Sequence, residues 1–263
     1  MNRRNNPTVR GYDVFGENYG VMLRNDVHDP RSIDHLLIQR CQLVDTISAT
    51  SLYSKAPLIS EKIEEHPLYV FARQFRKGSD LESLKALLRY TSGISRSFSC
   101  DDEDTIFGST EQAILARGTD WCSDMARVGC VLSQCLGIPA RIVYLADTSR
   151  AYSAHTAVEA YFNGGFAFCD FIYGVVGFID DPISALKLQN NRSLVTECYQ
   201  RDFPGYTKDR HFEDLFNAIA VSEYDPMADN DYTETRINEY YRKLLGSDHN
   251  FQWMTFNSTG KPL

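Results

Sequence analysis

No stretch of eighteen apolar residues occurs in this sequence, so no segment is long enough to cross a bilayer as a helix. Arg3 and Arg4 near the start are not followed by an apolar h-region, and no secretory signal is expected. Runs of basic residues are missing too. With 27 Lys and Arg against 35 Asp and Glu the net charge is -8, which argues against neutralising a phosphate backbone and so against nucleic acid as a partner. C-x-x-C pairs are absent, and the seven cysteines, at 41, 100, 122, 130, 135, 169 and 198, are odd in number and form no disulfide-like framework. That usage is expected of a reducing, cytoplasmic setting. Internal repeats and low-complexity segments are likewise missing.

What is present is ordinary for a globular chain: 263 residues, 43% hydrophobic and 24% charged, enough to bury a sizeable core without staples. The expected organisation is one domain, with a core over 79–175 between helical extensions at 1–78 and 176–263.

Hydrophobic spacing locates the elements. Ile33, Leu36, Leu37, Cys41, Val44 and Ile47 recur at three and four residues, the face of an amphipathic helix. Ser79-Asp80-Leu81-Glu82 has the capping-box pattern and precedes a stripe of Leu81, Leu84, Leu87 and Leu88, while Ser109-Thr110-Glu111-Gln112 announces a third, short helix. From Asp120 to Leu136, Met125, Val128, Gly129, Leu132, Cys135 and Leu136 predict a buried central helix stopped by Gly137. Ile138 to Ala146, His155 to Phe162 and Phe166 to Ile172 read as three antiparallel strands. Helical pieces are expected afterwards, one carrying Phe212, Leu215, Phe216 and Ile219, another Ile237, Tyr240, Tyr241 and Leu244.

A nucleophilic cysteine needs its thiolate stabilised, a base to share the proton, and donors for the oxyanion. With Asp120 as N-cap, Cys122 falls in the first helical turn, where unpaired amides and the helix dipole favour an anion. Asp120 and Asp124 oppose that, so a nearby imidazolium is required, and His155 is the candidate.

The hairpin supplies a geometric test. Asn163-Gly164 as the two central residues of a type I′ turn pairs Phe162 with Gly165, Ala157 with Asp170 and His155 with Ile172. His155 and Asp170 are then diagonal neighbours on one face, with Cα atoms roughly 7 to 8 Å apart. A turn centred on Gly164-Gly165 would instead oppose Asp170 to Glu159 and separate the pair.

Taken together, Ala116-Arg117-Gly118, Cys122-Ser123-Asp124-Met125-Ala126, Leu136-Gly137-Ile138-Pro139-Ala140-Arg141, His155-Thr156-Ala157-Val158-Glu159 and Asp170 resemble the transglutaminase-like core, over about a quarter of the chain. The resemblance implies an α+β, papain-like fold with a central nucleophile helix on a small antiparallel sheet. It implies Cys122 as nucleophile, His155 as base and Asp170 as the acid that orients it. Peptide, amide or thioester substrates would follow, with neither cofactor nor metal. Departures from the family pattern fall at Ala157 and Phe166, where the family often carries Trp, and at Phe171, where Pro is common.

Other residues weigh less. Trp121 and Tyr152 are candidate substrate contacts and Arg117 a further cleft residue, whereas Arg141 is expected to pair with a carboxylate. Cys122, Cys130 and Cys135 point to about 0°, 80° and 220° round a helix and cannot converge on one zinc ion. Three functions remain open: hydrolysis of an acyl-thioester on Cys122, which is favoured because water needs no second substrate site; transfer of that acyl group to an amine; and a non-catalytic scaffold.

Overall fold

The computed structural model describes residues 9–10, 42–43, 67–97, 106–107, 111–147 and 154–222. Two short strands come first, β1 (Val9–Arg10) and β2 (Gln42–Leu43). Helix α1 (Pro67–Ala72) begins on proline, whose fixed φ and missing amide suit the first helical position, and runs into a 3-10 helix at Arg73–Phe75. At the start of α2 (Asp80–Ser97) the Ser79 hydroxyl accepts the Glu82 amide at 3.2 Å. Leu84, Leu87 and Leu88 of this helix are buried, with Leu81 packed at their edge. Strand β3 (Ile106–Phe107) pairs antiparallel with β1, and the short helix α3 (Glu111–Arg117) follows; Ser109 and Thr110 lie outside the described residues.

Helix α4 (Cys122–Cys135) is buried along nearly its whole length, from Asp124 to Cys135. Its C-terminus is a Schellman closure: Gly137, at φ 75°, donates to the Gln134 carbonyl and Ile138 donates to that of Ser133. Strands β4 (Ala140–Ala146), β5 (Ala154–Phe162), β6 (Gly165–Asp170) and β7 (Val175–Val176) come next. Helices α5 (Ala185–Asn190) and α6 (Arg192–Asp202), 3-10 turns at Lys208–Arg210 and Phe212–Asn217, and strand β8 (Ala218–Ser222) complete the described chain.

Six strands form one antiparallel sheet in the order β2-β8-β4-β5-β6-β7. Alternation along the strands divides the core in two. Ile142, Val158, Ala160, Ala167 and Cys169 face α1, α2 and α4, whereas Val143, Leu145, Ala157 and Phe168 face α5, α6 and the Phe212–Asn217 turn. Both faces of the sheet are covered, which is why β4 and β6 are apolar in nearly every position.

The mixed α+β character agrees with the sequence reading, but the sheet is larger than the three strands expected. Gln42–Leu43, inside the helix expected over 31–47, is a strand on β8. Ile219 is not helical with Phe212, Leu215 and Phe216; it lies in β8 and opposes Leu145. For Ile219 the cause is that spacings of three and four in a short segment are shared by a 3-10 turn followed by a strand, and tertiary pairing decides between them. The helix expected around Ile237 to Leu244 lies outside the described residues.

Candidate active site

Cys122 is the first residue of α4, one position earlier in the helix than the sequence reading places it. Trp121, extended at φ -80° and ψ 121°, occupies the N-cap in place of Asp120 and contributes no side-chain cap; its amide is accepted instead by the Thr119 hydroxyl at 3.0 Å. The Cys122 amide therefore belongs to the first turn, whose N–H groups have no intrahelical partner, and the thiol stands at the positive end of a fourteen-residue helix.

The Asn-Gly turn brings the other two residues to one place. Asn163 and Gly164 have φ of 51° and 76°, and the ladder runs Phe162 to Gly165, Glu159 to Phe168 and Val158 to Cys169. Continuing that register sets Ala157 opposite Asp170. His155 Nε2 lies 2.8 Å from Asp170 Oδ2. The Cys122 thiol acts on the same imidazole and helps it hold its proton.

Asp170 is fully buried and its acceptors are well used. Oδ1 accepts the amides of Ile172 at 3.0 Å and Tyr173 at 3.2 Å, and Oδ2 accepts the Tyr199 hydroxyl at 2.6 Å besides facing His155. Burial works to raise its pKa, but the charge and hydrogen bond of His155 and the donors from Tyr199 and Tyr173 outweigh it, and the carboxyl is held below its ordinary value. For His155 burial works to lower the pKa; the charge and hydrogen bond of Asp170, with a smaller contribution from Cys122, leave it well above the ordinary imidazole value. The pair is an imidazolium facing a carboxylate.

Asp124, two residues on in the first turn of α4, is already paired. Arg117 donates to its Oδ2 at 2.6 Å and Arg127 lies 3.8 Å from Oδ1, while Arg127 also donates to Glu111 at 2.6 Å. The negative charge expected to oppose a thiolate is thus neutralised from below, and Arg117, a possible cleft residue by sequence, is engaged with Asp124 instead. Trp121 is half-buried beside Cys122, and Tyr152 lies outside the described residues.

Burial pushes Cys135 up to about 12 and raises Cys169 and Cys198, which holds them as neutral thiols. Arg141 is bound to the Glu159 carboxylate at 2.7 and 3.0 Å, with the Phe166 ring 3.7 Å from its guanidinium carbon. Among the described residues no group of three or more His, Cys, Asp or Glu is arranged to hold a metal ion, and no helix is long and apolar enough to cross a membrane.

Two residues escaped the sequence reading. Tyr199 reaches Asp170 from α6, 29 residues downstream, and nothing local marks it except the requirement that a buried carboxylate find donors. Tyr173 follows Asp170 closely, and its ring packs 5.6 Å from that of His155, between centroids.

Residues 70–171 match the family model of the transglutaminase-like superfamily, a span that contains Cys122, His155 and Asp170 and ends before Tyr173 and Tyr199. That superfamily typically carries out cysteine-dependent acyl transfer or hydrolysis. Neither the curated proteins nor the solved structures compared with the chain give a match.

Proposed function

We propose that this chain is a papain-like thiol enzyme that forms an acyl-thioester on Cys122 from an amide or thioester substrate and releases it to water. One observation carries the reading: an imidazole 2.8 Å from a buried, fully engaged carboxylate is also acted on by a cysteine at a helix start. A scaffold has no physical need for that arrangement.

In the forward step the Cys122 thiolate adds to the substrate carbonyl. The oxygen takes the negative charge next to the Cys122 amide, and the imidazolium of His155 gives its proton to the leaving amine or thiol as the C–N or C–S bond breaks. Neutral His155 then removes a proton from water, which attacks the thioester; collapse breaks the C–S bond, expels the Cys122 thiolate and frees the carboxylic acid, with His155 again an imidazolium. Asp170 keeps the imidazole in the tautomer and orientation both steps need. Hydrolysis is preferred over transfer to an amine because water requires no acceptor site. A free nucleophilic thiol suits a reducing compartment, and the cytoplasm is the setting we favour.

Peptide mapping after brief iodoacetamide treatment at neutral pH tests the assignment. Cys122 is expected to be alkylated well before the other six cysteines, at a rate indifferent to chelators. First reaction at another cysteine of the folded chain would refute the nucleophile assignment. Once an acyl donor is found, added hydroxylamine diverts the thioester and separates hydrolysis from transfer by product ratio.

A further inference from the structure

Beside the proposed triad stands an arrangement that this chemistry does not use. Tyr173 lies with its ring against His155 on one side and against an aromatic group on the other, 4.8 Å from Phe203 and 5.1 Å from Phe212 between centroids. The guanidinium of Arg210 sits over this group, 5.8, 5.4 and 6.0 Å from the ring centres of Tyr173, Phe203 and Phe212. Contacts of this kind hold a cation against aromatic faces without using up its N–H donors as an ion pair would.

Arg210 is exposed, and no ion pair within 4.0 Å engages it among the described residues. The adjacent Asp209 carboxylate is fully exposed and is held below its ordinary value mainly by Thr207, with Arg210 contributing least. Tyr173 is the connection to the chemistry, because its hydroxyl is within electrostatic range of Cys122 and His155 as well as of Arg210. In a chain of net charge -8, a cation placed on the far side of the Tyr173 ring from His155 selects for negative ligands approaching the site.

We propose that Arg210, held on the Tyr173, Phe203 and Phe212 rings, is a recognition site for a carboxylate on the substrate, so that the acyl compounds this protein acts on are acidic. A planar guanidinium edge matches a carboxylate in bidentate fashion. One positive group balances one carboxylate, whereas a phosphate dianion calls for more positive charge than the single guanidinium here supplies. The inference rests on Cys122 being the nucleophile and adds the charge of the substrate to that reading.

The test needs no known substrate, only two alkylating probes of nearly equal size, iodoacetate and iodoacetamide, used on the full-length protein at low ionic strength. The readout is the ratio of their rate constants at Cys122. Arg210→Gln is expected to lower the iodoacetate-to-iodoacetamide ratio by about twofold to fivefold, the span of an exposed charge pair, and high salt is expected to shrink the difference. Lys208→Gln, which removes a cation from the same turn, should leave the ratio alone. A ratio unmoved by Arg210→Gln, or moved as much by Lys208→Gln, overturns the inference while the nucleophile reading stands. Slow reaction of Cys122 with both probes in the unaltered protein overturns both.

Discussion

Asp170 is where the chemistry of single residues is most concentrated. A carboxylate with no solvent contact is costly unless every lone pair is used, and four donors from three segments use them: two amides, a tyrosine hydroxyl and an imidazole. Asp170→Asn keeps the shape but presents an amide to His155, favouring the wrong tautomer. The expected loss in kcat is about 10² to 10³, smaller than for a serine enzyme because a thiolate needs less help from its base. Alkylation of Cys122 near neutral pH should slow as well. The pair also makes stability depend on pH. His155, with its pKa raised, contributes fully below the ordinary imidazole value and loses its contribution as pH climbs through the raised one. Asp170, with its pKa depressed, contributes fully above the ordinary carboxylate value and loses its contribution as pH falls through the depressed one. Between about pH 4 and 6.5 both contributions are complete. Urea unfolding should therefore show a wider stability gap between the protein and Asp170→Asn at pH 5.5 than at pH 9.5, and a gap of constant width would sink the ion-pair description. Of these residues Cys122, His155 and Asp170 were legible because their spacing is local to one helix and one hairpin. Tyr199 was not, because the contact depends on how α6 is laid across the sheet.

At the level of elements, the nucleophile helix and the acid-bearing strand are locked by one close contact. Phe171, directly after Asp170, packs its ring onto Gly129 of α4; a Cβ built on Gly129 would stand 2.4 Å from ring carbons of Phe171. Gly129 is therefore a packing requirement rather than a flexible point in the helix, and the family's common Pro after the acid is replaced here by a ring that fills the gap. Gly129→Ala improves helix propensity by about 1 kcal/mol. Even so, the variant should be destabilised by about 1 to 3 kcal/mol, because the helix and the Phe171 loop must move apart. Chemical denaturation measures the loss, and an unchanged or raised midpoint would show that the contact is slack. Sequence marked Gly129 as one position in a buried stripe, but periodicity is blind to which residue faces it. Turn chemistry travelled better: the Asn-Gly dipeptide set the β5–β6 register correctly because positive φ at two consecutive residues is a demand few dipeptides meet. Glu159, on the same face of β5 as His155, has a separate task. It holds Arg141 and accepts the Ala185 amide at 2.8 Å at the start of α5, tying the first strand of the hairpin to the second helical layer.

For the molecule as a whole, the question is whether the family-matched span is a self-sufficient unit. Residues 70–171 contain the three proposed catalytic side chains, yet the layer that covers their face of the sheet lies downstream. Val143, Leu145, Ala157 and Phe168 share one buried cluster with Val195, Cys198, Tyr199, Phe212 and Phe216, and β4 has β8 on one side and β5 on the other. Sequence reading assigned 176–263 as a mainly helical elaboration, an understatement with a physical origin: Ala218–Ser222 is too short to declare itself a strand until it finds the edge of β4. A chain cut after Val176 would expose that second apolar face, open the β4 edge and leave Asp170 without the Tyr199 hydroxyl. Such a chain is expected to lose cooperative unfolding, bind a hydrophobic dye and lose the preferential alkylation of Cys122 together. A chain cut after Ser222 keeps both layers and the six-stranded sheet of the described residues, and should retain all three properties. If the shorter chain unfolds cooperatively with Cys122 still the fastest thiol, then the downstream layer is an accessory and the Tyr199 bond contributes nothing that the amides of Ile172 and Tyr173 do not already supply.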